Sequence, residues 1–277
     1  MPSVSYKEIL VTGGDGALGS YFRNCKRLTK RDLDITDEKK VSNTILGLKP
    51  KVIIHLAAIA DMKLCEDNPT LARAVNSIGT KNVAEAAKLC RAHLIYISTN
   101  AVFDGTKGDA YLPTDKANPA SVYGKTKYEG ELAVLEANRK NLVIRTSWIF
   151  GGGPAKDKKF VGKIVPLLRR GAELRAVNDV YGTPTYGKDL ADAIIRLVER
   201  GASGIIHMTN YGKATRYDMA LVAKEAVGSR SIISPVGQDG FPGMANMLKN
   251  EALDAREYAM RPWQEALKEY IETEWKG

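Results

Sequence analysis

The chain has 277 residues, of which 44% are hydrophobic and 26% charged, and this composition supports a globular core and excludes wholesale disorder. No apolar run approaches the roughly 20 residues that span a bilayer, and the start of the chain lacks the basic segment and cleavage site of a signal peptide, so we expect a cytoplasmic protein without a membrane partner. The net charge is +9, yet the sequence has neither zinc-finger spacing nor a strongly basic helix, and we expect no nucleic-acid partner.

Strands and helices alternate in the first half of the chain. Short β-branched runs predict buried parallel strands, and longer alanine-rich segments with helical spacing predict helices between them. The predicted strands cover residues 6–11, 51–56, 93–98 and 142–145, and the predicted helices cover 71–89 and 123–137, with a further helix beginning at 17–23. This order predicts an α/β fold with a doubly wound, Rossmann-like parallel sheet.

The pattern changes after Trp148, where a run of glycines and a proline interrupts the chain. Predicted helices then cover 160–170, 188–199 and 263–275, predicted strands cover 174–177 and 205–208, and 231–243 is predicted to be a loop. The second half is therefore expected to add strands to the sheet and to form a small lobe of its own, without a clean boundary.

A glycine-rich turn follows the first predicted strand. Gly13, Gly16 and Gly19 have the spacing that permits a tight turn, lets the backbone approach a pyrophosphate and allows a helix to pack closely on the strand. Glycines alone also occur in purely structural turns, but the position in the first strand–turn–helix unit favours a dinucleotide site. We therefore predict a dinucleotide-binding domain at residues 1–150 and a mixed segment at 151–277 that supplies sheet strands and the substrate-binding lobe.

The choice between NAD and NADP depends on the residues after the second strand. An acidic residue there would bind the ribose 2′-hydroxyl of NAD, whereas Lys26–Arg31 is basic and would suit the 2′-phosphate of NADP. These charges could equally be solvated surface residues. Asp34 and Ile35 come slightly late for the ribose and are expected to flank the adenine.

Tyr123 and Lys127 lie four residues apart on a predicted helix and therefore on one face. A tyrosine is a poor acid–base group near pH 7 unless a cation stabilises its anion, and a neighbouring ammonium would do this. Ser98 and Thr99 end the preceding strand, where α/β sheets bind their ligands, so a hydroxyl there could share the substrate oxygen with Tyr123. The alternative for Ser98 and Thr99 is ordinary capping at a strand end.

Seven segments together resemble extended short-chain dehydrogenases/reductases, and more narrowly the dTDP-4-dehydrorhamnose reductase family. They are TGGDGALG at 12–19, HLAA at 55–58, VNSIGTKNVAEAA at 75–87, YISTNAVFDGT at 96–106, VYGKTKYEGE at 122–131, RTSWIFG at 145–151 and NDVYGTPT at 178–185. Members of this family reduce the 4-keto group of dTDP-6-deoxy-L-lyxo-4-hexulose with NAD(P)H. The resemblance extends to about residue 210, and its last two segments are much more specific than the glycine turn.

The resemblance implies site residues of three kinds. It implies catalysis by Thr99, Tyr123 and Lys127. It implies substrate contacts at Thr99, Asn100 and Trp148, although Trp148 could instead be a packing residue. With the glycine turn, it implies cofactor contacts at Gly13, Gly16, Ala17, Leu18, Asp34, Ile35, Ala58, Ile59, Ala60, Tyr123 and Lys127.

Two departures from the family pattern fall on the substrate side. Asn100 stands where the family usually has an aspartate after Ser-Thr. The family also has an Arg-Pro pair before an element near the C-terminus, and the matching stretch at 243–248 here lacks the arginine. Both leave hydride transfer intact and leave the identity of the sugar open.

The sequence thus predicts an NADPH- or NADH-dependent oxidoreductase that acts on a nucleotide sugar. Two alternatives stay open. One is another nucleotide-sugar epimerase or reductase; the other is a non-catalytic, NADP-binding regulatory subunit like that of methionine adenosyltransferase. Thr99 and the RTSW segment favour the reductase. No metal site is predicted, and the oligomeric state is left open, with a homodimer as one option.

Overall fold

The computed structural model of the protein describes residues 4–240 and 248–276. The elements of the first half are, in chain order, β1 (Ile9–Thr12), β2 (Lys26–Leu28), α1 (Glu38–Leu48), β3 (Val52–His55), α2 (Met62–Asp67), α3 (Pro69–Arg73), a π-helical segment (Ala74–Gly79), α4 (Thr80–Leu89), β4 (His93–Thr99), α5 (Val122–Ala137) and β5 (Leu142–Thr146). Those of the second half are β6 (Ile149–Phe150), α6 (Gly153–Lys156), α7 (Phe160–Arg169), β7 (Leu174–Val177), β8 (Tyr181–Gly182), β9 (Thr185–Tyr186), α8 (Gly187–Arg200), β10 (Gly204–His207), β11 (Asn210–Tyr211), α9 (Arg216–Val227), β12 (Ile233–Val236), β13 (Asn250–Glu251), β14 (Met260–Pro262) and α10 (Trp263–Glu274).

Six strands form the central sheet in the order β10-β5-β4-β3-β1-β2. β1 pairs in parallel with β2 on one side and with β3 on the other, and β3 pairs in parallel with β4. The chain moves outward from β1 to β2 and then returns to the other side of β1, so the topological switch point lies between β1 and β3. Ligands of open α/β sheets bind at the carboxyl ends of strands at such a point. The predicted Rossmann-like fold class is confirmed.

The hydrophobic core of the sheet packs against α1, α4 and α5. Ile53, Leu94 and Val143 on three neighbouring strands are completely buried. On the helices, Val41 and Ile45 face the same core at the four-residue spacing of an amphipathic helix. Burying each such side chain contributes about 1.5–3 kcal/mol, and this packing fixes the strand ends that carry the site.

The chain divides into two compact units, and each unit is assembled from three separate segments. Unit 1 comprises the described residues of 1–104, 116–145 and 191–206, and unit 2 those of 105–115, 146–190 and 207–277. Unit 1 holds most of the central sheet, and β10, at the sheet edge, begins 58 residues after the end of β5 (204 minus 146).

The predicted helix at 17–23 is wrong. A three-residue 3-10 turn, Gly19–Tyr21, stands in its place. The 13 residues that separate β1 from β2, 13–25, barely exceed the roughly 10–12 that a complete crossover with its helix needs. Because the glycine turn takes the first half of this connection, too little chain remains for a regular helix.

The predicted loop at 231–243 is wrong over Ile233–Val236, which forms β12 and pairs in parallel with β7. The serine and proline in this strand hide its β pattern from sequence analysis, and proline is tolerated on such a two-stranded edge. Residues 241–247, with the end of that loop and most of the 243–248 stretch, lie outside the described residues. Helices α1 and α9 were not predicted.

Candidate active site

The glycine turn follows β1 directly and packs against the chain that follows β3. Gly13 has a φ of +68°, and a Cβ atom there would lie 2.7 Å from the amide nitrogen of Ala57, so glycine is required. Gly16 N donates to Gly13 O (3.1 Å), and Gly14 N donates to Leu28 O in β2 (2.9 Å). The turn therefore places bare backbone at the switch point of the sheet.

The second half of the turn carries backbone donors that have no partner. Among the residues that the structure describes, the amide N–H groups of Ala17 and Leu18 donate to no protein acceptor. Gly16 is exposed, Ala17 half-buried and Leu18 buried. Consecutive free N–H groups beside an exposed glycine form a concave site for an anion. This part of the chain therefore fits a pyrophosphate without the dipole of a long helix.

The predicted cofactor contacts Ala58, Ile59 and Ala60 lie on the loop after β3. The buried Asn76 holds this loop from the π-helical segment: its Oδ1 accepts from Ile59 N (2.8 Å) and its Nδ2 donates to Ile59 O (3.1 Å). The same amide nitrogen donates to Thr126 Oγ1 on α5 (3.2 Å). Asn76 thus connects the loop to the helix that carries Tyr123.

Sequence reasoning assigned no role to Asn76 or to His55, although both lie in the quoted motifs. The fully buried His55 ring has Nδ1 2.6 Å from Thr12 Oγ1 and Nε2 3.1 Å from Thr80 Oγ1. Burial lowers the pKa of His55 to about 3, and the positive charge of Lys127 acts in the same direction. His55 is therefore neutral and ties the end of β1 to α4. A histidine ending an apolar strand was the available signal.

Asp34 and Ile35 lie between β2 and α1. The Asp34 carboxylate accepts from the backbone N–H of Thr36 (3.0 Å) and from its hydroxyl (2.7 Å), and these bonds lower the pKa of Asp34. The Ile35 side chain is buried in the core, and Ile35 O accepts from Asn82 Nδ2 (2.9 Å). Both residues have local structural roles, and their predicted contact with adenine stays a prediction.

The basic segment begins in β2 and continues past its carboxyl end. Lys30 and Arg31 are exposed there. Arg27, inside β2, donates from Nη1 to Gly14 O (3.4 Å), so its side chain lies over the glycine turn. Because β1 and β2 are parallel, these cations and the turn share the same edge of the sheet.

Thr99 and Tyr123 are brought together where β4 ends and α5 begins. Ser121 caps α5, and a Cβ on Gly124 would lie 2.0 Å from Ala101 O, so the first turn of the helix packs directly on the backbone after Thr99. Burial raises the pKa of Tyr123 to about 12, while the neighbouring Thr99 side chain acts to lower it. The half-buried phenol and the threonine hydroxyl are thus adjacent.

Lys127 lies on the same helix, one turn further on, and its side chain is buried. Its ammonium donates to Ile97 O (2.6 Å) and lies 4.0 Å from the centre of the Tyr96 ring. Burial lowers the pKa of Lys127 to about 7, and the charge of Glu131 opposes this effect. Lys127 can therefore change its charge near neutral pH.

Glu131, a further turn along α5, is almost completely buried. Its Oε1 accepts from Ser98 Oγ (2.5 Å) and Arg145 Nε (2.9 Å), and its Oε2 accepts from Arg145 Nη2 (2.7 Å). Such a bidentate, buried pair holds α5 firmly against β4 and β5. Ser98 therefore serves this pair, and Thr99 is the strand-end hydroxyl beside Tyr123.

The predicted substrate residues Asn100 and Trp148 belong to different units. Asn100 is buried, and its Oδ1 accepts from Thr99 Oγ1 (3.2 Å) in unit 1. Trp148 is half-buried in unit 2, where its Nε1 donates to Glu251 Oε2. Trp148 also has a φ of +43°, a strained conformation for a large side chain.

Residues 4–240 and 248–276 contain neither a metal-binding cluster nor a membrane-spanning helix. Within these residues, no group of three or more His, Cys, Asp or Glu side chains is arranged to hold a metal ion. None of the described helices combines the length and the apolar character needed to cross a membrane.

A parallel Rossmann-like sheet, a glycine turn after its first strand and a Tyr–Lys pair beside a strand-end threonine define a short-chain dehydrogenase/reductase. Comparison with known proteins narrows this class. The chain belongs to the dTDP-4-dehydrorhamnose reductase family, since the family model described as "RmlD substrate binding domain" matches residues 7–275. The resemblance expected from the sequence is confirmed.

Individual relatives agree with this assignment. The chain is 34% identical over 285 residues to a dTDP-4-dehydrorhamnose reductase of Mycolicibacterium smegmatis, covering 97% of this chain and 86% of that protein. The structure of the reductase from Clostridium acetobutylicum has a TM-score of 0.89 at 35% identity, covering 95% of this chain and 98% of that one. The Bacillus anthracis enzyme, solved in complex with NADP, has a TM-score of 0.88 at 30% identity and covers 96% and 99%.

Proposed function

We propose that this protein is an NAD(P)H-dependent reductase of a nucleotide-linked 4-keto sugar, with dTDP-6-deoxy-L-lyxo-4-hexulose as the substrate. The observation that carries the proposal is that the Tyr123 phenol and the Thr99 hydroxyl lie side by side at the carboxyl edge of the sheet, where Thr99 acts on the pKa of Tyr123. The family supports it, because relatives that match nearly the whole chain have this activity in their names.

The cofactor is proposed to lie along the switch point of the sheet. Its pyrophosphate would be bound by the free N–H groups of Ala17 and Leu18, and its ribose and nicotinamide by the loop of Ala58–Ala60 and by Lys127. When bound, NADPH supplies a hydride to the carbonyl carbon of the sugar. The exposed Lys30 and Arg31 favour NADPH over NADH, because a 2′-phosphate there would find two cations.

Tyr123 is proposed to give the proton that the carbonyl oxygen requires as it gains charge. A phenol of pKa about 12 holds its proton firmly in the free protein, so the substrate oxygen receives it only as that oxygen becomes an alkoxide. Thr99 would hold the same oxygen and orient it. Lys127 would stabilise the resulting phenolate.

The substrate residues complete the proposal. Asn100 and Trp148 are each proposed as a substrate contact, and the segment 151–277 is proposed to supply the substrate-binding lobe. If Asn100 reads the same sugar as the aspartate usual in the family, Asn100→Asp retains turnover of the dTDP-4-keto-6-deoxy sugar.

The test is a spectrophotometric measurement of NADPH and NADH consumption with a panel of nucleotide 4-keto sugars. A reductase consumes the cofactor in a one-to-one ratio with the sugar. An epimerase recycles it without net loss, and a regulatory subunit binds it without turnover. If the folded protein binds NADPH but oxidises it with none of the sugars in the panel, the proposal is contradicted.

We further propose a cytoplasmic location and a homodimer. Cys25, Cys65 and Cys90 form no disulfide bond among the described residues, which suits a reducing compartment. Fractionation of the native cells tests the location, and sedimentation equilibrium of the purified protein tests the dimer.

A further inference from the structure

Unit 2 contains an arginine that is stacked on the indole of Trp148. The guanidinium carbon of Arg216 lies 3.6 Å from the centre of the Trp148 ring and 5.1 Å from that of Phe160. Arg216 is the first residue of α9, whose start is fixed by a capping box between Thr215 and Asp218. Two aromatic rings and a capped helix therefore hold one cation in a defined position.

The indole beneath this arginine is itself held in place. Trp148 has the strained backbone described above, and its ring nitrogen donates to Glu251. A large non-glycine residue in the left-handed region is strained and persists where the surroundings impose it, most often at ligand sites. Trp148 and Arg216 thus form one preorganised surface, flat on the aromatic side and cationic at its edge.

The Arg216 guanidinium has N–H groups that donate to no acceptor among the described residues. It carries five N–H groups, and in the described residues its hydrogen-bonding partner is the weak acceptor Met219 Sδ, at 3.7 Å from Nη1. Arg216 is half-buried, so solvent still reaches it. Burial lowers the pKa of Arg216 to about 10, with Glu251 opposing this effect, so the group stays charged at neutral pH.

We propose that Arg216 binds the diphosphate of a nucleoside-diphosphate sugar, with the Trp148 indole packed beside it. Two parallel N–H groups of a guanidinium match two oxygens of a phosphate. The Trp148 indole lies against the guanidinium, and the N–H groups that do not donate to Met219 remain for the ligand. This inference rests on the proposed function, which supplies a substrate with a diphosphate.

The test is calorimetric titration of the full-length protein with dTDP, which binds without turnover. Arg216→Gln removes the charge and is expected to raise the Kd of dTDP by about 10- to 100-fold, the range for a charge-assisted hydrogen bond. Arg216→Lys keeps the charge but loses the planar fork, and its effect is expected to fall between wild type and Arg216→Gln. The Kd of NADPH should stay within about twofold in both variants, because the phosphate sites proposed for it lie in unit 1.

Lys213→Gln is the matched control. Lys213 is exposed, lies three residues earlier and contacts the Tyr181 ring, so its loss removes the same charge and should change the Kd of dTDP by less than about threefold. A purely structural role for Arg216, as a support for Trp148, predicts that the affinities for dTDP and thymidine weaken by the same factor, with thymidine followed by ligand-observed NMR. That result overturns the inference, as does equal loss in the Lys213 and Arg216 variants.

Failure of this inference can be separated from failure of the proposed function. An active reductase whose Arg216→Gln variant binds dTDP normally contradicts the inference alone. A wild-type protein that binds dTDP through Arg216 but consumes no NADPH contradicts the proposed function alone. A wild-type protein that binds none of dTDP, UDP and GDP overturns the inference.

Discussion

The Lys127 ammonium lies 2.6 Å from Ile97 O, so the backbone of β4 holds a cation in a buried position. The surrounding protein lowers the pKa of Lys127 from its ordinary value of 10.5 to about 7. Below about pH 7 the folded protein carries this buried positive charge, which lowers its free energy of unfolding. Between about pH 7 and 10.5 only the unfolded chain binds the proton, so the stability of the wild-type protein rises with pH over this window.

Lys127→Met is therefore expected to stabilise the fold while it removes activity. The thioether fills the space without a charge, and we expect a gain of about 1–2 kcal/mol near neutral pH, less the lost hydrogen bond. The difference from wild type should shrink as the pH rises toward 10.5. Thermal melts at pH 6, 7, 8 and 9.5 measure it, with the exposed Lys125→Met on the same helix as control. A Lys127→Met protein that melts below wild type at every pH is the contrary result.

Tyr123→Phe should separate chemistry from folding. The ring still packs at the start of α5, but the proton beside Thr99 is gone, so kcat should fall by about 10²–10⁴-fold, the usual contribution of general acid catalysis. The Kd of NADPH and the melting temperature should change little. Stopped-flow turnover measures kcat, a cofactor titration measures the Kd of NADPH and a thermal melt measures the melting temperature. Tyr128→Phe on the same helix is the control. A folded variant with near-normal kcat excludes Tyr123 as the proton donor.

Glu131 should set the pH at which activity declines. Because Lys127 is proposed to act as an ammonium, kcat/KM should decline as the pH rises through about 7. Glu131 raises the pKa of Lys127, so Glu131→Gln should move this decline to lower pH. The change also leaves Arg145 buried without its counter-charge, and a melt must show that the variant is folded. Exposed Glu136→Gln should leave the profile in place; a shift of the Glu131 variant to higher pH would refute the coupling.

The basic residues after β2 should determine the cofactor preference. Replacing Lys30 and Arg31 together with alanine should raise the KM of NADPH by roughly tenfold and leave that of NADH nearly unchanged, since only NADPH has a 2′-phosphate. The exposed Lys39→Ala on α1 serves as the control. Equal effects on both cofactors would mean that these cations do not read the 2′-phosphate.

Local patterns predicted much of this structure. The strand over Leu174–Val177 and the helix from Trp263 agree with their patterns nearly residue by residue, because apolar periodicity reports directly on burial. Strand β12 was not predicted because it contains a serine and a proline. It is a strand because it pairs with its neighbour β7. The short connection after the glycine turn is likewise set by the distance to β2, which no local window contains.

The residues of the candidate site likewise fall into two groups: those that local sequence patterns predict and those whose roles depend on distant residues. The pairing of Tyr123 with Lys127 follows from helical spacing, and the family resemblance selects Thr99 from the two hydroxyl residues at the strand end. The role of Asn76 depends on a loop 17 residues away, and the stacking of Arg216 depends on Trp148, 68 residues earlier (216 minus 148). Pairings over such separations are created by the fold, so their members carry little local signal.

The edge strand β10 has a consequence for synthesis of the chain. It joins the sheet beside β5 only once residues 204–207 have emerged. Until then the nascent protein presents an open row of amide and carbonyl groups on an apolar strand, a template for pairing with another chain. A fragment ending at residue 150 would keep that edge permanently open and should aggregate. Because the segments of the two units are interleaved along the chain, the sheet edge is covered only after most of the chain has been synthesised.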